Sequence, residues 1–344
     1  MHKELAEAHG GREKWGYCKS IGTSLTYDGE TAVGGSGEDW LSEGSSRVNA
    51  AELHEFAEGD GPAWLTRAKG SSLEIISQDG SVAQVDPMRL CRFLLGECVA
   101  RGVKLHYPAK VISVSTDTKD ELASVRIAFP DGTETDVSCS RLVITAGPWT
   151  PMVFSTLFPS ATIKIPISAL AGYSLLVKSP RWSKEHETKG CHAVFATEDL
   201  GFSPEMFSRL GEEVYIAGLN STSIPLPEPF TESKIQPEAI ETLKQTAKRM
   251  LGRPGGDDDP LILRESLCFR PVTSSGRPII SKVPDAKLGR GIKTRGGGGE
   301  GGVFVAAGHG AWGISQSLGS GKVLTELIEG QRTSVNIQAL TLQV

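Results

Sequence analysis

Val303-Phe304-Val305-Ala306-Ala307-Gly308-His309-Gly310-Ala311-Trp312-Gly313-Ile314-Ser315 is the stretch that decides the fold class. An unbroken apolar run stops at Gly308, three glycines follow in quick succession, and then Leu318, Leu324, Leu327 and Ile328 recur at helical spacing until Gly330. The pattern predicts a buried strand, a tight turn and a helix from about 314 to 329, the repeating step of an α/β fold. Glycines let the backbone approach a flat ligand, and the first amides of the helix aim unpaired N–H groups and a positive dipole end outward. Such a terminus suits an anion, or a ring that becomes one. A turn built only for packing would use the same glycines.

A second run of the same kind lies upstream. Leu142-Val143-Ile144-Thr145 is apolar almost throughout and ends at Ala146-Gly147-Pro148-Trp149. It reads as a strand buried on both faces in a parallel sheet. Before it, Asp86 caps and Pro87 opens a helix whose Leu90, Phe93, Leu94, Cys98 and Val99 share a face until Gly102 stops it. Three β-type runs follow, 103–107, 110–114 and 124–129, with a turn at Asp131-Gly132. Residues 160–285 read differently, with alternating strands at 172–177 and 214–217, long polar loops and a helix near 237–251, as expected of a second, mostly antiparallel unit inserted into the first. The polar segment from Gly34-Gly35-Ser36-Gly37 to Trp64 reads as loops with short elements.

Composition narrows the function. The chain has 344 residues with 36 Lys and Arg against 41 Asp and Glu, a net charge of −5. The charges are scattered, so nucleic acid and anionic lipid are excluded as expected partners. No window approaches the roughly 18 apolar residues of a membrane span and no apolar run follows Met1, so a cytoplasmic protein is expected. The six cysteines form no C-x-x-C, and no zinc knuckle or disulfide scaffold is expected. Cys91 and Cys98, seven apart on one helix, read as core thiols. His186, Cys191 and His192 lack a fourth ligand, and no metal is expected.

Nucleotide signatures fail on context. Gly297, Gly299 and Gly302 satisfy G-x-G-x-x-G, but a strand follows where a helix is needed, so Gly296 to Gly302 reads as a loop. Gly321-Lys322 resembles a P-loop end with Gln316 and Val323 in the wrong places. No G-x-S-x-G is present. An NAD-dependent dehydrogenase would need a fingerprint that the sequence lacks.

Three ordered motifs carry a resemblance: 144–149, the segment from Cys268-Phe269-Arg270-Pro271 to Ile280, and 303–322. Together they are similar to the FAD-dependent D-amino-acid oxidase and glycine oxidase family over about residues 85–330. Residues 192–220 look most like a fungal branch of oxidoreductases. The resemblance implies an α/β plus α+β architecture: an incomplete FAD-binding, Rossmann-like domain from 86–150 and 288–344, a substrate domain from 20–85 and 151–287, and a remnant helix within 1–19. That family opens with a strand, a G-x-G-x-x-G turn and a helix for the FAD pyrophosphate. None is found near Met1, so a truncated chain is expected.

By resemblance the FAD-binding residues are Val111, Ala146, Gly147, Gly308, Gly310, Ala311, Trp312, Gly313, Ile314 and Ser315. Arg270 is the implied anchor of a substrate carboxylate, for which a bidentate guanidinium is apt; a structural salt bridge is its other reading. His309 is a candidate base, although a residue within a glycine turn is as readily chosen to shape it. Phe207 and Trp312 are candidate walls of the substrate pocket, or core. The implied reaction is oxidation of an amine or amino-acid C–N bond by hydride transfer to flavin, with dioxygen as acceptor. The other expectation is a non-catalytic binding or trafficking protein built on a flavoprotein fold.

Overall fold

The computed structural model describes residues 1–26, 57–58, 61–67, 70–77, 79–197, 201–253, 259–295 and 301–343. The expected Gly34 to Gly37 turn and the glycines Gly296 to Gly299 lie outside these. Two compact units emerge, one from 101–169 and 270–344, the other from 2–100 and 170–269.

The 2–100 and 170–269 unit is built on a ten-stranded sheet. Its central strands are Ser168–Lys178, Glu213–Ala217, Glu205–Arg209, Cys191–Thr197, Cys18–Thr26 and Ser72–Ser77, in that spatial order. The neighbours pair antiparallel except Cys18–Thr26 with Cys191–Thr197, which is parallel. Helix Pro237–Leu251 covers one face. Its Ile240, Leu243, Ala247, Met250 and Leu251 join Leu175, Val177, Val194, Met206, Val214 and Ile216 in one buried cluster. Each large side chain there contributes roughly 1.5–3 kcal/mol of burial, which holds the helix to the sheet.

The expected helix at 87 is present as Pro87–Ala100, with Asp86 Oδ1 accepting from Arg89 N at 3.0 Å and Gly102 at φ 87° beyond it. It packs Leu90, Phe93 and Leu94 against Trp15 of helix Gly11–Trp15. It therefore goes with the 2–100 unit rather than with strands 110–144. The reading of Cys91 and Cys98 as core thiols is corrected: both are exposed. The inward stripe runs through Leu90 and Phe93, and Cys91, about 100° further round the helix, faces away from it.

In the 101–169 and 270–344 unit, Lys110–Thr116, Leu122–Ala128 and Glu134–Ser138 form an antiparallel sheet. A second sheet orders Ile279–Val283, Gly302–Ala307 and Arg141–Ile144, the first pair antiparallel and the second parallel. Ile279, Val283, Val303, Val305 and Ile144 pack with Phe154, Leu157 and Phe158, the inward residues on and just after helix Thr150–Leu157. On the opposite face Ile280 meets Val323, Leu324 and Leu327 of helix Gly313–Ile328. The expected strand, turn and helix are thus formed, and Gly330 ends the helix at φ 66°.

Two strand expectations change. Residues 103–107 are not a strand; Val103, Leu105 and Tyr107 are exposed, and the following Pro108 has no N–H to give a ladder. Arg141–Ile144 is parallel as expected but not buried on both faces: it is an edge strand among the described residues, and Val143 is 37% exposed. With one neighbour, only its Leu142 and Ile144 side has a core to enter.

Candidate functional site

The parallel strands Arg141–Ile144 and Gly302–Ala307 place Ile144 opposite Val305, so both chains leave the sheet at the same edge. The two exits are built alike. One runs through Gly147 at φ 55°, a 3-10 turn Gly147–Trp149 and helix Thr150–Leu157. The other runs through Gly308 at φ 88° and Gly310 at φ 55°, a 3-10 turn Gly310–Trp312 and helix Gly313–Ile328. A left-handed backbone costs an L-residue about 1–2 kcal/mol, which accounts for glycine at these exits. The carboxyl end of parallel strands is where α/β sheets place ligands.

The glycines differ in what surrounds them. A β-carbon on Gly308 would lie 2.7 Å from Thr273 Cγ2. Thr273 is itself fixed, its Oγ1 donating to Arg277 O at 2.7 Å. Gly308 is therefore required by packing. Around Gly147 a β-carbon would meet nothing within 4 Å, and around Gly313 only His309 Cβ at 3.7 Å. Those two border open space.

His309 and Ser320 share a hydrogen bond, Nε2 to Oγ at 2.9 Å, tying the turn to the helix behind it. Burial pushes the imidazole pKa down, which keeps it neutral at pH 7. Trp312 stands at the helix entry and its side chain does not cap the helix, while Ser315 Oγ donates to Trp312 O at 3.0 Å. Trp312 and Ile314 are 37% and 46% exposed. Ala311 lies partly buried between them and Gly310. Val111 and Ala146 pack at the border of the core cluster of this unit.

Arg270 is half-buried near the end of strand Leu261–Val272, three residues before the Thr273 that abuts Gly308. The structure thus brings Ala146, Gly147, Gly308 and Gly310 to Ser315 to one sheet edge, with the Arg270 segment packed on it. Phe207 belongs to the other unit. There it forms a row with Phe195 and Tyr215, at centroid distances of 5.8 and 6.3 Å, and the Arg209 guanidinium lies 4.4 Å over the Tyr215 ring. Phe195, Tyr215 and Arg209 were not expected from sequence, since only the register that sets Phe207 beside Tyr215 aligns them. Thr273 and Ser320 were missed as well, since only the folded chain sets Thr273 against Gly308 and Ser320 against His309. Among the described residues no three His, Cys, Asp or Glu gather as a metal site, and His186 instead accepts from Ser183 N at 3.2 Å.

A family model described as FAD dependent oxidoreductase matches residues 20–327. The chain belongs to the FAD-dependent oxidoreductase family. A Schizosaccharomyces pombe protein named as an oxidoreductase is 25% identical over 359 residues, covering 99% of this chain and 79% of the relative. A D-amino acid dehydrogenase of Paramagnetospirillum magneticum is 25% identical over 257 residues, covering 74% of this chain and half of its own length. Among solved structures, glycine oxidase from Geobacillus kaustophilus superposes with a TM-score of 0.66 at 18% identity, over 99% of this chain and 80% of that one. The fold of this FAD-dependent oxidoreductase is that of the glycine oxidases, and its cofactor is FAD. No described helix of this oxidoreductase is long and apolar enough to cross a membrane.

Proposed function

We propose that this flavoprotein oxidises the C–N bond of an amine or amino acid. The observation that carries the reading is the packing of the Arg270-Pro271-Val272-Thr273 segment against Gly308, which sets a guanidinium-bearing strand end beside an open glycine edge. The names of the similar proteins, an amino-acid dehydrogenase and a glycine oxidase, support the same donor class.

The residues present fit a flat ring. The space beyond Gly147 and Gly313 would be filled by a β-carbon, and the positive dipole end of helix Gly313–Ile328 suits the negative charge of a reduced ring. Gly147, Gly308, Gly310, Ala311, Trp312, Gly313, Ile314 and Ser315 would hold that ring, with Ala146 and Val111 behind it. Bound flavin supplies hydride acceptance, with dioxygen as the final acceptor in our reading. Arg270 orients a substrate carboxylate by paired N–H donors. His309, neutral and engaged with Ser320, shapes the turn. No side-chain base is required where the substrate binds as the free amine. The described residues hold no strand, G-x-G-x-x-G and helix for a pyrophosphate, so the fit concerns the ring end of the dinucleotide.

The test is anaerobic spectroscopy of the FAD-loaded protein against amines, D- and L-amino acids and N-alkyl glycines. Loss of the oxidised-flavin band with one of these, and its return with air, is expected. Bound flavin that none of them reduces would overturn the donor class and favour a non-catalytic binding protein.

A further inference from the structure

Two thiols lie on one face of the parallel strand pair of the 2–100 and 170–269 unit. Cys18 opens strand Cys18–Thr26 and Cys191 opens Cys191–Thr197. Ser20 pairs with Cys191, and alternate residues of a strand share a face, so Cys18, Ser20 and Cys191 lie on one side of the sheet. Cys191 is therefore the thiol diagonally across from Cys18 on the neighbouring strand. Arg12 Nη1 donates a hydrogen bond to Cys18 Sγ at 3.4 Å. Gly16, at φ 68°, turns the chain from helix Gly11–Trp15 so that the exposed Arg12 side chain lies over the start of the strand.

Burial alone raises a thiol's pKa, as it does for half-buried Cys139. Cys18 is 4% exposed and Cys191 fully buried, yet the neighbouring Cys191 thiol and the Arg12 guanidinium bring Cys18 below the ordinary thiol range while Cys191 is pushed up. One sulfur is prepared as nucleophile, and the other keeps its proton beside it.

We propose that Cys18 and Cys191 are an oxidative modification site, a thiolate and its resolving thiol, for hydrogen peroxide. The Cys18 sulfur gives an electron pair to one peroxide oxygen, the O–O bond breaks, and the departing hydroxide takes a proton to become water. Cys18 is then a sulfenic acid. The Cys191 sulfur attacks it, the S–S bond forms, the S–O bond breaks, and the Cys191 proton leaves with the hydroxide as a second water. Two thiols lose two electrons in all and one peroxide gains them. Arg12 holds the thiolate and, being exposed, is the side chain whose movement admits the oxidant.

The experiment treats the whole folded protein with hydrogen peroxide, blocks the remaining thiols by alkylation, and maps tryptic peptides by mass spectrometry. The Cys18 and Cys191 peptides are expected joined, two hydrogens lighter than their sum, and freed by reductant. In Cys191→Ser, Cys18 is expected as a sulfenic acid trapped by dimedone. Arg12→Ala, on an exposed helix position, is expected to slow Cys18 oxidation about tenfold through loss of thiolate, and Arg12→Lys to restore part of it, with circular dichroism confirming the fold of each. Oxidation of the exposed Cys91, Cys98 and Cys268 while Cys18 and Cys191 stay reduced would overturn the proposal. So would equal Cys18 rates in Arg12→Ala and the unaltered protein.

Discussion

Thr273 Cγ2 lies 2.7 Å from where a β-carbon on Gly308 would sit, and Gly308 holds φ 88°. The turn that ends the strand Gly302–Ala307 and the segment carrying Arg270 are therefore fitted to each other. Gly308→Ala should cost the left-handed backbone strain of about 1–2 kcal/mol plus the displacement of Thr273. A melting temperature several degrees lower is expected, and Gly308→Ala with Thr273→Ser should recover part of it by removing the clashing methyl.

Gly313 has helical backbone angles and only His309 Cβ near a built β-carbon. Gly313→Val should leave the stability of the flavin-free protein within about 0.5 kcal/mol while abolishing flavin retention. Denaturant unfolding and the flavin-to-protein absorbance ratio measure the two effects. Unchanged flavin content would remove this turn from the ring site.

Arg270→Ala should raise the KM for a carboxylate substrate about 10–100-fold, the equivalent of a charged hydrogen bond of roughly 1.5–3 kcal/mol. Flavin affinity should stay within twofold or so of the unaltered protein. Steady-state kinetics beside flavin titration checks the split, and equal losses in both would remove Arg270 from the anchor role.

Burial lowers the pKa of His309 and of His192. A histidine held below its unfolded value binds fewer protons folded than unfolded, so its contribution to stability is complete above about pH 6.5 and is lost as pH falls toward the lowered value. His309→Gln should flatten the acid limb of stability between pH 7 and 5, read as melting temperature against pH. A limb of unchanged slope would contradict the burial argument.

Of the second structural unit, the helix at Pro237–Leu251 and the strands near 172–177 and 214–217 were readable from apolar spacing, and the hairpin that holds Cys191–Thr197 and Glu205–Arg209 was not. Buried residues stand side by side in both of its strands, so no clean alternation marks them in the sequence. Phe207 was singled out from sequence as a candidate pocket wall or core residue, whereas its row with Phe195 and Tyr215 depended on registers across three strands.

What the sequence by itself determined is local: the apolar run and glycines of 303–313, the capped helix at 87, the apolar spacing of 318–328, and the family motifs around Ala146-Gly147 and Arg270. These follow from side-chain period and backbone freedom, which act over a few residues. The tertiary structure alone decided that Ile144 lies opposite Val305, so that two glycine exits share one edge. It alone turned Cys91 and Cys98 outward and set Cys18 and Cys191 on one face of a parallel strand pair. The physical reason is that alternation assigns a residue to a face of its strand or helix, while register between distant segments is set by how whole faces pack.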